Sequence, residues 1–490
     1  MKRLERSVDW GTRLDDTRIG YAFVGKGDKI ASPFGKITAE GLGRYEKEQF
    51  KLAFKLYASF TDLKFHQVKD QAAANLVIAT FGGDSGTFGA MGPPGWGTSG
   101  GHGVFNREGR GWDDDRPGVG ALEQGGFGFV TIIHELGHGL GLAHPHDRGG
   151  GSKIFPEVSS SSDLGAYDLN QGVYTVMSYN DGWQTNPDGQ PPAYAAYGFE
   201  GTPMAIDIAV LQEKYGANEN YHRGANTYRL PDTNDVGTFY SCIWDAGGRD
   251  KIVNPGEGAA TIDLRAATLK PKEGGGGFVS SVDGIFGGFT IAHNVTIENA
   301  KGGRGDDSIT GNGAANRLAG GAGDDEISGR GASDRLVGGA DSDVLNGGGG
   351  GDRLGGGAGD DILIGGRGSD RLDAGSGGGS MTGGPGVDTF VFRAQPNSGS
   401  VVTITDFSPG NDVIMLSRGG FAGLGAKGTL GASAFSTGTS AGDDDDRIVY
   451  DPASGVLRHD PDGTGGTAAT TFAILKPGLA LSHSDFVVAA

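Results

Sequence analysis

From Gly302 to Val391 the sequence divides without a gap into ten units of nine residues, the first G-G-R-G-D-D-S-I-T and the last G-G-P-G-V-D-T-F-V. The eighth position is always large and apolar: Ile309, Leu318, Ile327, Leu336, Leu345, Leu354, Leu363, Leu372, Met381 and Phe390. The sixth is aspartate in eight units, Asp307, Asp325, Asp334, Asp343, Asp352, Asp361, Asp370 and Asp388, with Asn316 and Gly379 breaking the column. Each G-G-x-G-x-D half predicts a turn and each x-U-x a short strand with one side chain pointing inward. Two units then complete one coil of a parallel β-roll, with calcium expected between turns of successive coils, so that a ligand set comes from units eighteen residues apart. A disordered glycine-rich linker has no reason to keep such an apolar column. The turns offer carbonyl and aspartate oxygens, hard ligands suited to calcium. Without a cation the aspartate rows repel, so calcium is expected to contribute directly to folding, with the eight aspartates as candidate ligands.

Composition narrows the rest. Of 490 residues 96 are glycine, against a usual ~7 %, and they concentrate after residue 300. The length predicts two or more domains. The single cysteine, Cys242, excludes an intrachain disulfide framework. A net charge of -19 argues against nucleic acid as a partner and suits cation binding. No run of eighteen apolar residues predicts a membrane span. Met1 to Asp16 is charged and lacks the apolar core of a Sec-type leader.

A second segment carries chemistry. Val130 to His144 reads V-T-I-I-H-E-L-G-H-G-L-G-L-A-H. On a helix of about 3.6 residues per turn, His134 and His138 share one face and can clasp one metal. Glu135 is placed to act as general base on an activated water, as in H-E-x-x-H metallopeptidases. Gly141 tolerates the positive φ that ends the helix and swings His144 back as third ligand. Three imidazoles with one open position suit catalytic zinc. Gly137 and Gly139 each cost about 1 kcal/mol of helix propensity, so close packing is their expected reason. His146 is a competing ligand, disfavoured by its spacing from Gly141. A G-x-S-x-G run, Gly97 to Gly101, lacks the strand before and helix after that a serine-hydrolase elbow needs.

Residues 20 to 215 read as mixed α/β. A helix is predicted over Arg44 to Tyr57, burying Phe50, Ala53, Phe54 and Tyr57. Strands are predicted at Leu63 to Val68 and Asn75 to Phe81, with a glycine-rich loop from Gly82 to Gly126 edging the cleft. Thr202 as N-cap, Pro203 at N1 and Gly216 at the C-terminus bracket another helix.

The extended H-E-x-x-H-x-x-G-x-x-H followed by Thr175, Val176, Met177, Ser178 and Tyr179 resembles the metzincins with their methionine turn. The S-Y after the methionine is similar to the serralysin branch, bacterial secreted zinc endopeptidases with RTX calcium-binding repeats. The family continues H-P-G where this chain has His144, Pro145, His146, Asp147. The resemblance implies an α/β metzincin catalytic domain followed by an all-β parallel β-roll. It implies Met177 as the apolar floor under zinc and Tyr179 as a displaceable ligand that supports the oxyanion. It extends to Ile243 to Asp250 and Ile291 to Ala300, giving Asp245, Gly247, Gly248, Asp250, Thr296 and Glu298 as candidate calcium ligands. Its implied partners are protein or peptide substrates and, through the C-terminal region, an ABC-type (type I) exporter to the extracellular medium, with a monomer expected. The expected layout is an N-terminal segment or short propeptide (1-19), a zinc peptidase domain (20-222), lead-in strands (223-301), the ten-unit roll (302-391) and a C-terminal β region with the secretion signal (392-490). The alternative, a calcium-dependent adhesion protein with a relic front domain, is disfavoured by the intact Glu135.

Overall fold

Helix α1 (Arg44–Phe60) forms because Phe50, Ala53, Phe54 and Tyr57 recur at helical spacing, and all four are buried. Its start is fixed by Glu46, whose carboxylate accepts the Gly43 backbone N–H. It flanks a five-stranded sheet ordered Lys64–Gln67, Arg18–Phe23, Leu76–Phe81, His102–Asn106, Gly89–Met91. The first four strands are parallel and the last is antiparallel. Two of these strands, His102–Asn106 and Gly89–Met91, lie inside the stretch expected to be one loop. Glycine spoils their alternation, but Val104 and Phe105 are fully buried beside the central strand.

The computed structural model describes residues 4–83, 86–112, 118, 120–393 and 400–490. It divides into two units, Met1–Asn226 with Leu230–Asp250 and Arg265–Thr296, and Thr227–Arg229 with Lys251–Leu264 and Ile297–Ala490. The lead-in region is thus shared between them. In the first unit, α2 (Phe127–Gly139) and α3 (Ala205–Tyr215) complete the helices. Helix α3 starts later than Thr202 and Pro203 suggest. Met204 is its N-cap, and Asp207 reaches back to accept the Met204 N–H at 2.9 Å. The N-terminal stretch is built into this unit. Leu4 and Val8 are buried, Val8 C=O accepts from Ala143 N–H at 2.9 Å, and Gly141 C=O from Trp10 N–H at 3.0 Å.

The second unit is a parallel β-roll with a β extension. Residues eighteen apart pair directly, Leu318 with Leu336, Leu354, Leu372 and Phe390 in one sheet. Ile309, Ile327, Leu345, Leu363 and Met381 do the same in the other. Every member of both columns is at most 2 % exposed, each burial stabilising by about 1.5–3 kcal/mol. The columns outlast the repeat. Ile252 and Ala300 stack ahead of Leu318, and Ile414 and Phe486 continue beyond Phe390.

The repeat's first glycine has a specific cause. A Cβ at Gly320 would stand 1.9 Å from Asp325 Oδ2, and at Gly338 or Gly356 2.1 Å from the Oδ2 of Asp343 or Asp361. The one unit that opens with alanine, Ala374, is also the one whose sixth residue is Gly379.

Candidate active site

Helix α2 puts His134 and His138 on one face, and Gly141, at φ +96°, turns the chain back so that His144 joins them. A Cβ at Gly141 would lie 2.3 Å from Thr12 C=O, so the turn is also packed from outside. The Nε2 atoms of His134 and His138 stand 3.1 and 3.0 Å from His144 Nε2. Each Nδ1 has an acceptor, Val176 C=O at 2.7 Å, Leu142 C=O at 3.0 Å and Asp147 Oδ2 at 2.8 Å. Nδ1 therefore carries the proton on every ring, and three bare Nε2 lone pairs converge. Their separations approach the edge of about 3.3 Å expected of a tetrahedron with 2.0–2.1 Å zinc bonds. This donor set fits zinc. Burial, aided by the neighbouring imidazoles, lowers His134 to about 3 and holds His138 well below the ordinary histidine range, so both stay neutral.

His146 stacks on His144 with ring centroids 4.9 Å apart and belongs with His144 and Asp147 to a second, more open cluster. Tyr179 is 55 % exposed, its ring 4.7 Å from that of His144 and 5.7 Å from that of His134. Desolvation and the charge of Glu135 push its hydroxyl up to about 12. Glu135 lines a cleft of about 440 Å³ with Thr87, Phe88, Phe127, Tyr179 and Asp181. Its Oε2 has no hydrogen-bond partner, and burial pushes the carboxyl up to about 8, against the Met91 backbone hydrogen bond.

The floor is tightly packed. A Cβ at Gly137 would come 2.9 Å from Met177 Sδ, and one at Gly139 2.7 Å from Met91 Sδ, which accounts for both helix glycines. Met177 is fully buried. Its turn hangs on Asp207, which accepts from Thr175 Oγ1 at 2.6 Å and from Val176 N–H at 2.8 Å. Sequence reasoning missed Asp207 and Asp147. Asp147 had a signal, its place three residues after His144.

In the roll every sixth-position carboxylate after Asp307 accepts, through Oδ1, the backbone N–H of the residue eighteen earlier. Asp325 accepts from Asp307 at 2.8 Å, Asp334 from Asn316 at 2.7 Å and Asp343 from Asp325 at 3.0 Å; Asp352, Asp361, Asp370 and Asp388 continue the pattern. The Oδ2 atoms of these seven are buried without partners. Burial, with like charges along the row, pushes Asp325 up to about 7 and Asp343 up to about 6. A row of orphaned, mutually repelling oxygens fits a divalent cation. No three carboxylates converge there among the described residues, so carbonyls would complete any shell. Asp307 differs, since Ala260 N–H (2.7 Å) and Gly303 N–H (2.6 Å) occupy both its oxygens. Upstream, Asp245 Oδ1 accepts from Gly247 N–H at 2.9 Å and Asp250 Oδ1 from Asn226 N–H at 2.7 Å, while Gly248 adopts φ +144°. Thr296 ends the first unit, and Glu298 lies in the second, its carbonyl accepting from Arg317 N–H at 3.0 Å.

The fold and the histidine cluster define a metzincin-type α/β domain and a parallel β-roll on one chain. Residues 207–423 match the family described as "Peptidase M10 serralysin C terminal", and parts of the chain are similar to serralysin-type metalloproteases. It is 38 % identical over 206 residues to "Serralysin" of Proteus mirabilis, covering 40 % of this chain and 37 % of that protein. It is 30 % identical over 326 residues to "Serralysin" of Photorhabdus luminescens, covering 63 % and 61 %, and 35 % identical over 200 residues to "Metallopeptidase AprA" of Pseudomonas marginalis, covering 39 % and 38 %. The chain spans less than two thirds of the length of these relatives.

Proposed function

We propose that the chain is a secreted, calcium-dependent zinc endopeptidase that hydrolyses peptide bonds of proteins, with Glu135 as general base. The observation carrying this reading is the convergence of three Nδ1-anchored imidazoles beside the unpartnered Glu135 Oε2 in an open cleft. His134, His138 and His144 would hold zinc. When bound, zinc supplies Lewis acidity, polarising the scissile carbonyl and acidifying a water. Glu135, acting in its carboxylate form, takes the proton from the attacking water, a transfer that its burial-raised proton affinity favours, and hands it to the leaving amine. Tyr179, protonated across the working pH range, donates its hydroxyl hydrogen to the oxyanion that develops at the carbonyl. Met177 and the Asp207-held turn keep His134 at its angle through Val176 C=O.

The aspartate rows would bind calcium, so folding follows the metal. Export by a type I route fits that dependence, because a chain that folds only where calcium is plentiful can be threaded unfolded. No helix among the described residues is long and apolar enough to cross a membrane. The chain is expected to act as a monomer. The test compares cleavage of a peptide library by the zinc-loaded protein and by Glu135→Gln. The variant should keep zinc and lose at least about 100-fold in rate; equal cleavage by both, or none by either, defeats the reading.

A further inference from the structure

The roll's two sheets differ on their outward faces. In one, the seventh residue of alternate units is arginine, and Arg317, Arg335, Arg353 and Arg371 stand opposite one another in register. Strands lie about 4.8 Å apart, so these four form a row about 14 Å long. Lys251 continues it two strands further, beyond Asn299. The neighbouring outward column holds Ala319, Val337 and Gly355, leaving a shallow trough beside the cations. Arg317, Arg335 and Arg353 are exposed and make no ion pair among the described residues, while Asp373 at the far end is taken by Arg393. In the other sheet the same column reads Ser308, Glu326, Val344, Ile362, Ser380. Like charges directly opposite on adjacent strands destabilise a sheet. A cationic row in a chain of net charge -19 is therefore a cost that the roll's own folding does not require.

We propose that this arginine row is a docking strip for a linear acidic polysaccharide with one carboxylate per sugar. A guanidinium pairs a carboxylate through two parallel hydrogen bonds, and an extended chain of pyranoses repeats on the scale of the strand spacing. The sugar rings would occupy the trough beside Ala319, Val337 and Gly355. Neither outward column carries an aromatic side chain, so the stacking that single-stranded nucleic acid uses is missing. The chain's overall negative charge is screened beyond about 8 Å at physiological salt, leaving the strip to act locally.

The test uses the full chain at constant saturating calcium and the fluorescence anisotropy of a labelled oligomannuronate of about eight sugars, long enough to cover the row. A dextran oligomer and oligothymidylate of similar length are the comparisons. The wild type should bind the oligomannuronate in preference to both, with affinity falling as salt rises. Arg335→Gln with Arg353→Gln should weaken binding at least about tenfold, with the calcium-dependent dichroism and peptide cleavage unchanged, and Glu326→Gln on the opposite sheet should bind as wild type. If the double variant loses its dichroism, Arg353→Lys carries the test, because it keeps the charge and drops the fork; about threefold weaker binding is expected. The proposal is overturned by no wild-type binding at low salt, by binding of dextran or oligothymidylate as tight as the oligomannuronate, or by a folded arginine variant that binds as wild type.

Discussion

Asp207→Ala tests whether the histidine cluster depends on a residue that touches none of it. The Asp207 carboxylate is fully buried and accepts from Thr175 Oγ1, Val176 N–H and Met204 N–H at 2.6, 2.8 and 2.9 Å. The threonine hydroxyl can turn to another acceptor, but the two backbone donors cannot. Each stranded donor costs about 1–3 kcal/mol, so the variant should lose about 4 kcal/mol at pH 7.5. All five tryptophans lie in the first unit, so their emission during urea unfolding reports that unit. The same turn presents Val176 C=O to His134 Nδ1. Loosening it should weaken zinc binding about 10- to 100-fold, measured by competition with a chelating dye.

The Asp207 carboxyl also has a pH signature. Burial pushes it up to about 6 from 3.8, against its three hydrogen bonds. Folding therefore favours its protonated form, and the resulting stability is complete below pH 3.8 and lost as pH rises through 6. At pH 5 the gap between wild type and Asp207→Ala should exceed that at pH 7.5 by about 1.4 kcal/mol, other groups cancelling in the difference. A variant within about 1 kcal/mol of wild type, with unchanged zinc affinity, would refute the account of the turn.

Three further outcomes are expected. Gly141→Ala places a Cβ 2.3 Å from Thr12 C=O at φ +96° and should cost more than about 2 kcal/mol while displacing His144, read by tryptophan emission and zinc competition. Ala332→Gly should stabilise the roll by about 0.5–1 kcal/mol, because Ala332 sits at φ +75° where most units have glycine; a less stable roll in calcium would contradict the left-handed assignment. Chelating calcium should remove the roll's share of the full chain's β-structure dichroism and leave that of the first unit's sheet, the lost share returning at about 10⁻⁴–10⁻³ M calcium, and dichroism unchanged by chelation would remove calcium from the folding argument.

What the sequence disclosed follows the range of the interactions involved. The His134–His144 spacing was readable because one helix and one glycine turn place all three rings within eleven residues. Asp207 was not, since its acceptor role joins residues 31 and 32 positions apart with no period to announce them. The strand His102–Asn106 was hidden for another reason: its glycine-rich surroundings read as loop, and only burial beside Leu76–Phe81 makes it a strand. Lys251 and Asn299 join the roll's sheet without carrying its repeat, held by parallel pairing to Arg317 and its neighbours.

The roll shows how far a repeated nine-residue pattern determines chemistry. Position one is glycine because the aspartate five residues later leaves no room for a Cβ, and where Gly379 replaces that aspartate, Ala374 is accommodated. That coupling is local, so the sequence records it. Cation binding is not local, because the oxygens of each sixth residue depend on the coil before. Asp325 follows a repeat coil and keeps Oδ2 free, whereas Asp307 follows Asn254 to Ala260, outside the repeat, and spends both oxygens on backbone N–H groups. Asp307→Asn should therefore change calcium affinity less than Asp343→Asn, measured by calcium titration of the dichroism. The reverse order would mean that the neighbouring coil does not decide which aspartates bind.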